Sequence, residues 1–397
     1  MVKPMSASAI DLSQYDTWFD DGIDVPVAIV RREILLPVAG RGSVVFPPTY
    51  AGPDDLKFPR DFERYPNIRK EDAVATQRGY SLYATDTASD GTRSVVLDSV
   101  GSQANRMEAL FRPPSGPYKH LVPQVEITVN RKGVGPMQVN LLDAGHRAAD
   151  AVIRFSDKGS QITEAFKAID QQRDYSRMVE LSPLSLVMGV WDSRDTRVKV
   201  PRMISSTVRG YNVIVMHRNA QYTPAMRKGM EKLEIEEMVG AEKLSEIGLA
   251  EAPAYALGGV VCNGDIVRES ILNLVVLRNV AAGSDSQKTL NLRRYILGLG
   301  LVCLTAPLSP DYRSGCMLVP GGEVLMEVVR RNGKREPFSA EKALDYAEKA
   351  SASLGPREAV AMTFDSAKAK AALKSEQKKA KEERAAAKNA GKAVTDV

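Results

Sequence analysis

Between Val25 and Val38 apolar and polar residues first alternate and then give way to a continuous apolar run, which predicts a strand. Val95 to Leu97 is short and apolar, and Gln124 to Val129 alternates cleanly, so both read as strands. Helical spacing takes over at Asp98 to Arg112, where Ala104, Met107, Leu110 and Phe111 recur on one face and leave Gln103, Asn105 and Arg106 for solvent or a ligand. Further helices are predicted at His146 to Arg154, at Thr223 to Ile247 on a broken stripe of Met226, Met230, Leu233, Met238, Leu244 and Ile247, and at Thr289 to Leu304. Ile271 to Val280 reads as a strand, and Gly321-Gly322 as the join between the strands Cys316 to Val319 and Val324 to Val329. This order suits an α+β fold with an antiparallel sheet.

Four polar or Pro-rich stretches interrupt the pattern: Phe46 to Asp72, Phe111 to Val122, Arg194 to Pro201 and His217 to Gly259. Loops of that length in a compact domain usually bind something. At 397 residues the chain can bury a real core. Its longest apolar stretch, Tyr295 to Ala306, is too short to span a bilayer, so no membrane role is expected. Cys262, Cys303 and Cys316 lie far apart without a CxxC pair, which argues against a disulfide framework or a zinc site and fits a reducing cytoplasm.

The net charge of +5 is unevenly placed. Ser366 to Lys392 holds nine Lys or Arg against three Glu, an excess of six, so the remainder of the chain carries about −1. Residues 1–365 form the expected folded body, and 366–397 a basic tail that is partly helical or disordered. Any nucleic acid held by the body must therefore be held by local patches.

The strongest local signal is LDSVGSQANRME at Leu97 to Glu108. An apolar run ending in Asp and Ser, followed by Ser-Gln-x-x-Arg, puts hydroxyls and free N–H groups at a helix start, where a phosphate can sit. Arg194, Arg197, Lys199 and Arg202 supply four cations within nine residues, followed by Ser205, Ser206 and Thr207, and make the best basic patch of the body. Trp191 is expected in the core, with stacking on a base as the alternative. His146 and Asp150 share a helical face, but no third ligand lies nearby and metal is not expected; Arg147 is the better phosphate contact. Gly258-Gly259 and Gly321-Gly322 suit either close approach to RNA or tight turns.

HRAAD from His146, LSPLSLVMGVWDSRDTRVKVPR from Leu181, SSTVRGYNV from Ser205, LRRYILGLGLVCLT and then YRSGCMLVP occur in one order along the chain. Together they resemble the type I-U (type I-G) CRISPR backbone subunit of the RAMP superfamily, over about Ile29 to Pro320. The resemblance implies a ferredoxin-like (RRM-like) palm and a thumb-like insertion within His217 to Asn263. It also implies copies that polymerise along CRISPR RNA, beside a large subunit and an RNA-processing subunit, and that present the guide to target DNA. Ser99, Ser102, Gln103 and Arg106 match the signature that contacts the guide, with Arg93 alone where relatives carry a basic cluster. Arg106→Glu is then expected to abolish RNA-loaded assembly while leaving the isolated protein folded. Met226, Met230 and Met238 in the thumb would wedge between bases, pack on the next copy or face a core.

No Walker or Rossmann loop, nucleophile elbow or HExxH is present, so neither cofactor nor catalysis is called for. Relatives in type III systems cleave RNA with a loop aspartate, which raises Asp98, Asp143 and Asp192 as candidates for an endonuclease. General single-stranded RNA binding is the remaining alternative.

Overall fold

A computed structural model describes residues 10–54, 56, 59–64, 68–76, 79–218, 256–355, 358–375 and 377. Its centre is an eight-stranded antiparallel sheet. The strands run in the spatial order Asp311–Arg313, Cys316–Arg330, Pro26–Pro37 (β1), Ile266–Asn273, Ile204–Tyr211, Arg93–Asp98 and Thr85–Thr87, with Arg335–Pro337 added on Cys316–Arg330. The inner neighbours, from Cys316–Arg330 through β1, Ile266–Asn273 and Ile204–Tyr211 to Arg93–Asp98, are far apart in sequence, as in an RRM-like palm with insertions. The helix Val100–Ala109 (α1) and the long helix Ser286–Thr305 pack on one face.

The two residue periods explain the elements. Every second residue of β1, Ile29, Arg31, Glu33 and Leu35, is buried on the helix side. Helix Ser286–Thr305 is capped by Asp285, whose side chain accepts from Lys288 N–H. It is buried nearly all round from Tyr295 to Leu304, each large apolar side chain contributing about 1.5–3 kcal/mol. Its glycines permit that: a Cβ at Gly300 would lie 2.8 Å from Leu272, and one at Gly298 2.8 Å from Ala347 in the adjoining helix Ala343–Ala352.

The palm's inner face carries a polar seam between two apolar clusters. Arg31 donates to the carbonyls of Leu304 (2.7 Å) and Thr305 (3.1 Å), closing the C-terminus of the long helix. Glu33 lies between Arg31 (3.4 Å) and Arg268 (2.5 Å). Ser270 donates to Ser206, which donates to Gln103, extending the seam to α1.

Three elements differ from the sequence pattern. The strand expected over Ile271 to Val280 ends at Asn273, whose side chain accepts from Val275 and Val276 N–H and starts the helical turn Leu274–Leu277. Gly321-Gly322 is not a turn: Cys316–Arg330 passes straight through it, pairing with β1, and the register shift between Glu33 and Leu35 absorbs the irregularity. His146 to Arg154 is two short pieces, a 3-10 turn Arg147–Ala149 and a helical turn Ala151–Arg154, because Asp150 is extended and caps the second.

Among the described residues no helix is long and apolar enough to cross a membrane. All three cysteines are free. Burial pushes the thiols of Cys262 and Cys316 up to about 11, and that of Cys303 higher.

Candidate nucleic-acid interface

Strand Arg93–Asp98 stops where Ser99 leaves the sheet in an extended conformation and caps α1. Ser99 Oγ accepts from Ser102 N–H (3.3 Å), and its carbonyl accepts from Gln103 N–H (2.9 Å). Helix geometry gives the first-turn amides of Val100 and Gly101 no intrahelical partner, and they have none elsewhere among the described residues. Ser99 and Ser102 are half-buried beside them and Gly101 and Asn105 are exposed. This end of the helix therefore offers amides, the Ser99 hydroxyl and the positive end of the helix dipole to an anion.

What holds that end in place is Asp98, which is wholly buried. It accepts from Ser102 Oγ (2.7 Å), Gln103 Nε2 (2.6 Å), Arg106 Nε (3.0 Å) and Arg313 Nη2 (3.1 Å). Two arginines around one carboxylate leave the cluster with an excess positive charge. This corrects the sequence expectation for two residues. Gln103 does not face solvent but is fully buried between Asp98 and Ser206. The Arg106 guanidinium is spent inside the protein: besides Asp98 it donates to the carbonyls of Asp311 (3.0 Å) and Tyr312, and it lies 4.5 Å from the Tyr312 ring centroid. The Ser-Gln-x-x-Arg pattern is thus largely a scaffold for the helix start. Arg313 and Tyr312 complete it from the other end of the chain, and sequence reasoning missed both; the only trace of them was their place in the YRSGC segment.

Further along α1, Glu108 is buried and receives a two-point contact from Arg147 (2.6 and 3.0 Å), which also donates to Gly189 O (3.3 Å). Burial pushes the Glu108 carboxyl up, and Arg147 opposes that. Arg147 therefore anchors α1 to the following segment, and its exposed neighbour His146 uses its backbone N–H on Asp150 (3.1 Å). Arg202, half-buried, donates to Val100 O (3.3 Å) at the α1 start. Its guanidinium has no ion-pair partner among the described residues, and burial, then Arg147, lowers its pKa.

Gly189 and Arg202 bracket a hairpin of Val190–Trp191 and Lys199–Val200. A Cβ at Gly189 (φ +79°) would sit 2.9 Å from Arg202 N, so only glycine fits there. Arg194, Arg197 and Lys199 are all exposed on the hairpin. Trp191 is not in the core, as the sequence suggested, but 59% exposed.

The remaining sequence candidates lie elsewhere. Arg93 is half-buried and pairs with buried Asp72. Ser205 faces the sheet side opposite α1, beside exposed Ile271. Gly258 and Gly259 are buried, not open to a strand: they pack on Met216, His217, Val44 and Val45 within the ladder formed by Val213–Arg218 and Ala256–Cys262. Residues 219–255, with Met226, Met230 and Met238 and most of the expected thumb, lie outside the described residues. The three aspartates sit in separate networks: Asp98 as above, Asp143 with Arg112, and Asp192 inside the hairpin turn. No grouping of metal-ligating side chains occurs among the described residues.

No curated protein matches this chain. Among solved structures, a chain of a "CRISPR RNA-guided surveillance complex, pre-nicking" aligns with 83% of this chain and 90% of its own, at 11% identity and a TM-score of 0.30. Residues 29–215, which include most of β1, all of α1, Arg147, the Trp191 hairpin and Arg202, match the family described as CRISPR-associated protein GSU0053, and over that span this chain is similar to a CRISPR-associated family.

Proposed function

We propose that this chain is a non-catalytic backbone subunit of a type I Cascade complex, of the I-U (I-G) branch, that binds CRISPR RNA. Copies of it coat the guide head to tail, hold it in order for pairing with target DNA, and adjoin the large and RNA-processing subunits. The observation that carries this reading is the family match over residues 29–215, which spans the α1 start and the basic hairpin. The chemistry gathered there suits a ribose-phosphate strand: free amides at Val100 and Gly101, the hydroxyl proton of Ser99, and the cation of Arg202. Such groups grip a backbone and read no base edges, so sequence recognition falls to the guide's own pairing. Asp98 and Asp192 use their carboxylates on internal donors, which supports a scaffold over an endonuclease.

The test is coexpression with the cognate repeat array and partner proteins, followed by sequencing of the copurified RNA. A discrete species carrying repeat sequence, in a particle with several copies of the chain, is expected. A monomer free of nucleic acid, or a mixture of cellular RNAs, would overturn the reading, and cuts at regular intervals in complementary RNA with Mg²⁺ would replace it with the endonuclease.

A further inference from the structure

We propose that Trp191 is a stacking platform for one unpaired base of a nucleic-acid strand whose phosphates run along Arg194, Arg197 and Lys199. The proposal deepens the reading above and rests on it. A tryptophan with more than half its surface in water is unusual, because its large apolar ring gains from burial. Here the ring is held out on a short, stiff hairpin. Lys199 stands directly opposite in the two-residue ladder, its ammonium 5.8 Å from the ring centroid.

The turn that joins the two strands is braced from within. Asp192 is buried and accepts from Asp195 N–H (3.2 Å), Thr196 N–H (2.9 Å) and Thr196 Oγ1 (2.8 Å), while its own N–H donates to Val198 O (3.0 Å). Asp195 accepts from Thr163 Oγ1 (2.9 Å), which ties the turn to the helix Gly159–Gln172. Both acidic side chains are thus engaged by neutral donors. Arg194, Arg197 and Lys199 are exposed and make no ion pair among the described residues. The outcome is an exposed aromatic ring, with Lys199 against it and the unpaired cations Arg194 and Arg197 nearby, on a turn braced before any ligand binds.

A duplex has no free base face to offer such a ring, and an acidic peptide would satisfy the cations while leaving the indole in water. A single strand satisfies both, since each nucleotide brings a π-face and a phosphate. Position agrees: Arg202, two residues beyond the hairpin's end at Val200, donates to Val100 O (3.3 Å) at the α1 start, which links the hairpin's base to that helix end. A cleft of about 620 Å³ lies between Arg194 and Asp195 of the turn and Ala369, Ala372 and Leu373.

The chain has two tryptophans, so in a full-length Trp18→Phe background, excited at the red edge where tyrosine does not absorb, only Trp191 emits. Titration with unstructured oligouridylate and oligodeoxyuridylate is expected to quench that emission, and comparing the two shows whether ribose matters. In otherwise wild-type protein Trp191→Ala should weaken single-strand binding about tenfold while Trp191→Phe retains most of it; duplex binding and thermal unfolding should stay unchanged in both. Equal single-strand affinity for Trp191→Ala and wild type, with no quenching, would overturn the proposal and leave guide binding standing. Quenching by polyglutamate alone would overturn it in favour of an acidic protein partner. Wild-type protein that binds no single strand at all would bring down both readings.

Discussion

Asp98 shows how one residue can decide whether a motif binds or builds. A wholly buried carboxylate costs heavily in desolvation unless it is well paired, and here it holds two arginines and two neutral donors. Asp98→Ala leaves Arg106 and Arg313 without their counter-charge and should destabilise the protein by about 3–5 kcal/mol, read as a lower urea midpoint. Arg106→Glu would place a second carboxylate against Asp98. It is expected to lower the unfolding temperature of the isolated protein, contrary to the sequence expectation, and so cannot serve as a clean test of RNA contact. Ser99 as the cap was legible, since a serine before a helical apolar pattern acts through its nearest neighbours. Arg313 was not, because it meets Asp98 across 215 residues of chain.

At the level of elements, glycines separate what is packed from what is open. Gly259 has φ +91°, its N–H donates to Tyr83 Oη (3.0 Å), and a Cβ there would meet Val44 at 2.5 Å and Val45 O at 2.8 Å. Gly259→Ala should cost about 1–3 kcal/mol by overpacking, measured by thermal or chemical unfolding. Gly322→Ala is the contrasting case: nothing lies within 4 Å of its Cβ position, and stability should be unchanged. Both belong to glycine pairs that looked alike in the sequence. Only pairing partners distinguish them: Gly259 lies between two other strands, whereas Gly322 lies on an exposed part of Cys316–Arg330.

For the whole molecule, the small net charge of the body puts the electrostatics of binding into a few exposed cations and the C-terminal segment. Affinity for single-stranded RNA should fall with salt by roughly 0.7 log units per log unit for each phosphate neutralised. Changing Arg194 and Arg197 together to alanine should flatten that slope by roughly 1.4, as followed by fluorescence anisotropy across a salt series. Spacer sequence should not alter affinity; a strong preference for particular bases would show that the protein reads bases itself.

The sequence alone was enough for the α+β class, β1, the capped start of α1, the long buried helix and the basic stretch around Arg197, because alternation, helical spacing, capping and local charge are set by residues a few positions apart. Tertiary structure decided which polar groups remain available. It turned Gln103, Arg106 and Arg147 inward, enclosed Gly258 and Gly259, and left Trp191 and three cations outside. The reason is physical: whether a charge or a ring faces water depends on partners supplied by distant strands, and the antiparallel order of this sheet brings residues together that no local pattern records.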